Sequence, residues 1–318
     1  MSAISANKGR VHSHGFFKRL AIDFRRNGDL YLLVIPVLIF YGLFQYGPMY
    51  GAQIAFRNFQ PLRGITGSPW VGFLHFERFF TGPFFWQLLY NTFRISFLGL
   101  VFGFPAPIIL ALLINEVRNR AFARTVQTLT YMPFFIAAVV VAGMIRNFVS
   151  DQGIITLMLG PFGVPQRDML IGTNYFLPIF ILQGIWQGVG WGSIVYLAAL
   201  QGIDSEQYEA ASIDGANRWQ QVLHVTIPGI MPTIVILLIL RMGQMLAVGH
   251  EMILLLYNAT NWAVSDVIST FVFRMGIEQF NASFATAVGL FNSVVNLTFL
   301  IAANWISKKA SSDEMSLF

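Results

Sequence analysis

Three polar constellations interrupt an otherwise apolar chain, and each suits a different chemistry. Gln183, Trp186, Gln187, Gly190 and Trp191 fall at i, i+3, i+4, i+7 and i+8, a single helical face. Amides hydrogen-bond hydroxyls and indole faces pack on the C–H faces of sugar rings, so this face suits a polyhydroxylated solute, and it suits helix–helix packing equally. Arg241 lies inside an apolar run and is followed by Gln244, His250 and Glu251. An arginine isolated in lipid costs about 2.5–3.5 kcal/mol on insertion scales, so it needs a partner. That partner is an anionic solute group, Glu251, or a carboxylate of another subunit. The third constellation, Glu209-Ala-Ala-Ser-Ile-Asp-Gly-Ala216 followed by Val225-Thr-Ile-Pro228, is polar and sits between two apolar runs. It predicts a short exposed helix, a turn permitted by Gly215, and a new element opened by Pro228. Such a hairpin can dock in a groove of a partner.

Catalytic chemistry is poorly supplied. The chain has no cysteine, which removes thiolate nucleophiles, thiolate metal sites and disulfides. Its 5 histidines show no His-Glu-x-x-His spacing, and no Gly-x-x-x-x-Gly-Lys-Ser/Thr phosphate loop occurs. Gly188-Val-Gly-Trp-Gly192 is no nucleotide loop, since it lies within an apolar run where small residues let helices approach. No metal site and no cofactor bound by this chain are expected.

The elements that must position these groups are membrane spans. Of 318 residues 55% are hydrophobic and 11% charged, against about 25% charged in soluble domains. Six apolar runs, near 30–50, 88–114, 127–149, 176–200, 229–256 and 284–306, reach the about 20 residues a span requires. The fold expected is all-α and polytopic, with a basic cytoplasmic tail over 1–29, a six-helix domain over 30–306 and a cytoplasmic tail over 307–318. With six spans, the segments on the side of the termini hold twelve Lys and Arg and those opposite hold five. Positive-inside sorting then puts both termini and the Glu209 loop in the cytoplasm, and explains the net charge of +5 without nucleic acid. No cleavable signal is expected, because the first apolar run starts near Tyr31 behind a basic tail. Within that tail Phe16, Phe17, Leu20 and Phe24 recur at helical spacing among Lys18, Arg19, Arg25 and Arg26, a pattern for a helix in the headgroup region.

The Glu209–Pro228 stretch resembles the EAA loop of bacterial ABC importer permeases, whose pattern is Glu-Ala-Ala, three residues, Gly, nine residues, Ile, one residue, Leu-Pro. Glu209, Ala210, Ala211, Gly215 and Pro228 match it, while Val225 and Ile227 replace the Ile and Leu. Tyr46-Gly-Pro-Met-Tyr50, Phe76-Glu-Arg-Phe-Phe80, Asn91-Thr-Phe-Arg94 and Asn115-Glu-Val-Arg118 resemble the branch that imports complex oligosaccharides, similar to alginate and pectin-fragment systems. The resemblance implies a type I ABC importer permease architecture with a cytoplasmic coupling helix, in a bacterial inner membrane. It implies that Glu209, Ala210, Ala211, Asp214, Gly215 and Pro228 couple the chain to ATPase subunits, which carry ATP and Mg. It further implies a second permease, most simply a different chain, and an extracytoplasmic binding protein that delivers the oligosaccharide. Gln183, Trp186, Gln187, Trp191, Arg241 and Gln244 are the candidate pathway residues. A self-contained secondary transporter or channel is the alternative, and it leaves the Glu209 loop unexplained. A membrane enzyme is a third reading that no residue cluster supports.

Overall fold

The computed structural model describes residues 26–246 and 249–310. The predicted headgroup helix over 16–24 and the tail over 311–318 lie outside these. The chain divides at Gln53/Ile54 into two units. In the first, α1 (Gly28–Tyr41) continues through a π-turn at Gly42–Tyr46. Its apolar side chains are exposed all round, Leu32 and Leu33 among them, as suits a helix built for lipid or for another chain.

The second unit is helical throughout, and among its described residues the only β-pairing is two isolated bridges. A short α2 (Leu74–Phe80) precedes α3 (Phe85–Asn115), a 31-residue apolar helix. Pro105 is tolerated within α3 at the start of its second segment. Next come α4 (Arg120–Phe135), α5 (Ala138–Phe148), the short α6 (Ile154–Leu159) and α7 (Phe176–Leu200). Then follow α8 (Ser205–Ile213), α9 (Arg218–Gly243), α10 (His250–Leu256), α11 (Trp262–Ser265), α12 (Ile268–Phe273) and α13 (Ala282–Ala310). The helix α7 is central: Tyr196 and Leu200 pack with Ala111 of α3 and Ile230 of α9, while Phe176 packs with Val141 of α5 and Ile253 of α10.

Two of the six predicted spans need correction. The run near 127–149 is two helices, α4 and α5, meeting at 100° across Ile136 and Ala137. Both connecting residues are extended, and Pro133 opens a 3-10 turn just before them. The run near 229–256 is likewise broken, because α9 stops at Gly243 and α10 starts only at His250. A hydropathy window of about 20 residues averages over such short breaks. Among the described residues four helices are long and apolar enough to cross a membrane, or five if the bent pair counts as one. At 25 residues α7 is long enough as well, but with two glutamines and four glycines in its middle it is not among those four.

Candidate functional site

The Glu209 loop is a helical hairpin with both turns of its backbone hydrogen-bonded. Asp204 caps α8, its carboxylate accepting the Glu206 N–H at 3.0 Å. At the other end Gly215 takes φ +80°, and Ala216 N–H donates to Ala211 O at 2.9 Å while Gly215 N–H donates to Ser212 O at 3.1 Å. This pair of bonds is a Schellman stop, which needs a left-handed residue at the glycine position. A Cβ on Gly215 would meet nothing within 4 Å, so backbone conformation alone asks for glycine. Asn217 and Gln220 then form a reciprocal capping box that starts α9. Gln221 ties the two arms together, its amide donating to Ser212 Oγ at 3.0 Å and Ala216 O at 3.2 Å.

Glu209, Ala210, Asp214 and Gly215 are exposed and Ala211 is half-buried. Among the described residues neither the Glu209 nor the Asp214 side chain has a hydrogen-bond or ion-pair partner, so Asn217 and Gln221, rather than Asp214, brace the turn. Ile213, 86% exposed, and Trp219 are apolar groups on this hairpin that the motif pattern does not single out. Pro228 is the second residue of the α-helical segment Ile227–Gly243, as expected of a helix start, and that segment runs on without a break from a π-turn at Val222–Thr226 that widens the helix.

A cavity of about 810 Å³ lies against α7. Gly184, Gln187, Gly188 and Gly192 line it from α7, and Arg241 and Gln244 line it from the end of α9 and the break that follows. Gln183, Trp186 and Trp191, predicted on the same face as Gln187, lie outside this lining. Trp191 stacks on Phe134 at 4.7 Å and 4°. Gln183 is buried and donates to Gln187 Oε1 at 2.6 Å, and Gln187 Nε2 donates to Ile136 O at 3.0 Å. Much of the polarity on α7 therefore satisfies the carbonyl freed where α4 breaks from α5. Among the described residues Arg241 has no carboxylate within 4 Å, and Glu251 does not pair with it. Arg241, exposed near the end of α9, thus borders the cavity without a counter-charge among the described residues.

On the opposite side of α3 from its C-terminus, Gln87, Asn91 and Thr92 hold the α11–α12 corner by bonding Ala263 O, Asp266 O and Ile268 N. At that corner Asp266 and Arg274 form a bidentate pair at 2.7 and 3.1 Å, with Arg274 over the rings of Trp262 and Phe271. No sequence pattern marks this pair, whose partners are eight residues apart across a helix start.

Residues 103–312 match the family described as "Binding-protein-dependent transport system inner membrane component". The chain is 44% identical over 295 residues to protein LplB of Bacillus subtilis, covering 92% of each chain. It is also 44% identical over 293 residues to the polygalacturonan/rhamnogalacturonan transport system permease protein YteP of the same organism, covering 92% of this chain and 91% of that one. Among solved structures it superposes with TM-score 0.84 and 42% identity on a chain of a bacterial ABC transporter involved in importing the acidic polysaccharide alginate, covering 92% of this chain and all of that one. The chain therefore belongs to the family of binding-protein-dependent transport system inner membrane components, the permease subunits of ABC importers.

Proposed function

We propose that this permease carries carboxylated oligosaccharides across a bacterial inner membrane, through a pathway to which Gln187, Arg241 and Gln244 contribute. The observation that carries the reading is Arg241, a cation on the cavity wall with no carboxylate within 4 Å among the described residues. A guanidinium offers a planar pair of donors that matches a carboxylate, and a uronate supplies one on each sugar unit. Relatives named for polygalacturonan, rhamnogalacturonan and alginate transport support the same substrate class.

In this reading the chain forms half of a pathway and a second permease forms the rest. Glu209, Ala210, Ala211, Asp214 and Gly215 present a docking surface to an ATPase subunit, which binds ATP and Mg and does the hydrolysis. An extracytoplasmic binding protein delivers the solute, as in the alginate system solved with a pentasaccharide-bound periplasmic protein. The Lys and Arg bias supports a cytoplasmic hairpin and cytoplasmic termini.

The test is to purify the tagged chain in mild detergent, identify its partners and measure ATP-dependent uptake of oligogalacturonate and of a neutral oligosaccharide of equal length. The reading expects an ATPase and a second permease, with the acidic sugar preferred. A chain that runs alone and moves solute without ATP would sink it.

A further inference from the structure

Two weak points fall together in α9. The π-turn at Val222–Thr226 adds a residue to the helix, and Pro228 has no N–H for the carbonyl of His224. Helices bend at such places. Either side of them the helix is held, by the Asn217 capping box before and by Ile230, fully buried against Ala111, Tyr196 and Leu200, after.

At this soft segment α8 is attached. Thr226 is fully buried, and its hydroxyl lies 3.1 Å from the Tyr208 hydroxyl of α8 and 3.3 Å from Gln221 O. Thr226 donates to the carbonyl, so Tyr208 donates to Thr226, and the chain of bonds ends on the carbonyl of the residue just before the π-turn. The second link, Gln221 to Ser212, is exposed and competes with water. Beyond the soft segment α9 carries Leu237 and Arg241 into the cavity lining. At about 1.5 Å per residue they lie roughly 15–25 Å along the helix, so a swing of about 10° at Thr226 would carry Arg241 roughly 4 Å.

We infer that the Tyr208–Thr226 hydrogen bond over this π-turn is the joint that passes movement of the docking hairpin to the cavity. The inference rests on the importer reading above and names its positioning residues. Because the chain has no cysteine, one introduced thiol reports on the cavity without background from this subunit.

The experiment uses the full complex with its ATPase, cysteine-free second permease and binding protein in nanodiscs. It follows the reaction of Leu237→Cys with a water-soluble maleimide, with and without ATP and vanadate. Nucleotide should change the labelling rate roughly fivefold or more, the lower range of allosteric coupling. Adding Tyr208→Phe or Thr226→Val should remove most of that change while as much ATPase is recovered as before. The double variant should lose no more than Thr226→Val alone, since both single variants remove the shared Tyr208–Thr226 bond. An unchanged nucleotide response in both single variants overturns the joint. So does a loss that tracks reduced ATPase recovery, losses that add in the double variant, or no response in Leu237→Cys itself. Failure to recover any ATPase with the parent chain overturns the importer reading, and the joint with it.

Discussion

Gly190 of α7 lies against the backbone of Thr130 in α4 so closely that any Cβ on it would fall inside the Thr130 carbonyl. The obstacle is backbone, which cannot rotate away. Gly184 and Gly188, on the same helix, meet nothing within 4 Å and border the cavity. Identical residue types therefore do different jobs two to six positions apart. Gly190→Ala should prevent α4 and α7 from packing and lower the yield of folded complex in detergent. Gly188→Ala should leave yield unchanged, or raise helix stability by up to about 1 kcal/mol, while narrowing the cavity. Size-exclusion recovery of the two variants checks this; equal recovery of both would contradict the placement of Gly190.

Gly215 offers a test at the Glu209 hairpin. Its φ of +80° costs an ordinary L-residue about 1–2 kcal/mol, while asparagine tolerates that region better. Gly215→Asp and Gly215→Val should loosen the Schellman stop and reduce the ATPase recovered with the chain, and Gly215→Asn should retain most of it. Insertion of the variant chains in the membrane should be unchanged, because no residue of α8 is buried. Recovery that is the same for Val and Asn would remove the conformational argument.

Much of this hairpin was legible in the sequence, because Gly215 is a backbone demand and Glu209-Ala-Ala a local spacing. The apolar runs were legible too, since a bilayer imposes a length. What escaped was set by neighbours. Periodicity placed Gln183, Trp186, Gln187, Gly190 and Trp191 on one face, but it cannot say which helix meets that face. In the fold Gly190 meets Thr130, Trp191 meets Phe134, and Gln187 meets both the cavity and the Ile136 carbonyl. That carbonyl needs a donor only because α4 breaks there, and the break itself was hidden within one apolar run. Pro228 does stand at the start of an α-helical segment, Ile227–Gly243, but the π-turn that joins this segment to the helix before it carries no sequence signal. The carrier alternative had no use for the hairpin, and family membership removes it.

Asp266 and Arg274 should show the asymmetry of buried charge. Asp266 is 1% exposed and accepts two bonds from the guanidinium and one from Thr270. Burial alone would lower the Arg274 pKa, but the hydrogen bond and charge of Asp266 outweigh it and raise it above the ordinary arginine value. A raised cationic pKa gives stability that is complete below the ordinary value and lost only as pH climbs through the higher one. The pair should therefore not weaken on the alkaline side of any working pH. Asp266→Asn should destabilise by about 3–5 kcal/mol, since it strands a buried charge. Asp266→Asn with Arg274→Met should cost less than Asp266→Asn alone, and thermal unfolding in detergent distinguishes the two.

Arg241 should act on substrate choice, not on assembly. Because it has no carboxylate within 4 Å among the described residues, Arg241→Ala breaks no ion pair within the described chain and should leave the yield of complex unchanged. Loss of a bidentate charge-assisted contact should raise the half-saturating concentration for oligogalacturonate roughly tenfold or more, at about 1.5–3 kcal/mol per such bond. A neutral oligosaccharide of equal length should be affected little. Arg241→Lys should recover part of the acidic-sugar uptake, because a point charge remains but the planar fork does not. Equal loss for both sugars, with poor assembly, would instead mean that Arg241 pairs with a carboxylate of the second permease, and the substrate class proposed for the cavity would have to be abandoned.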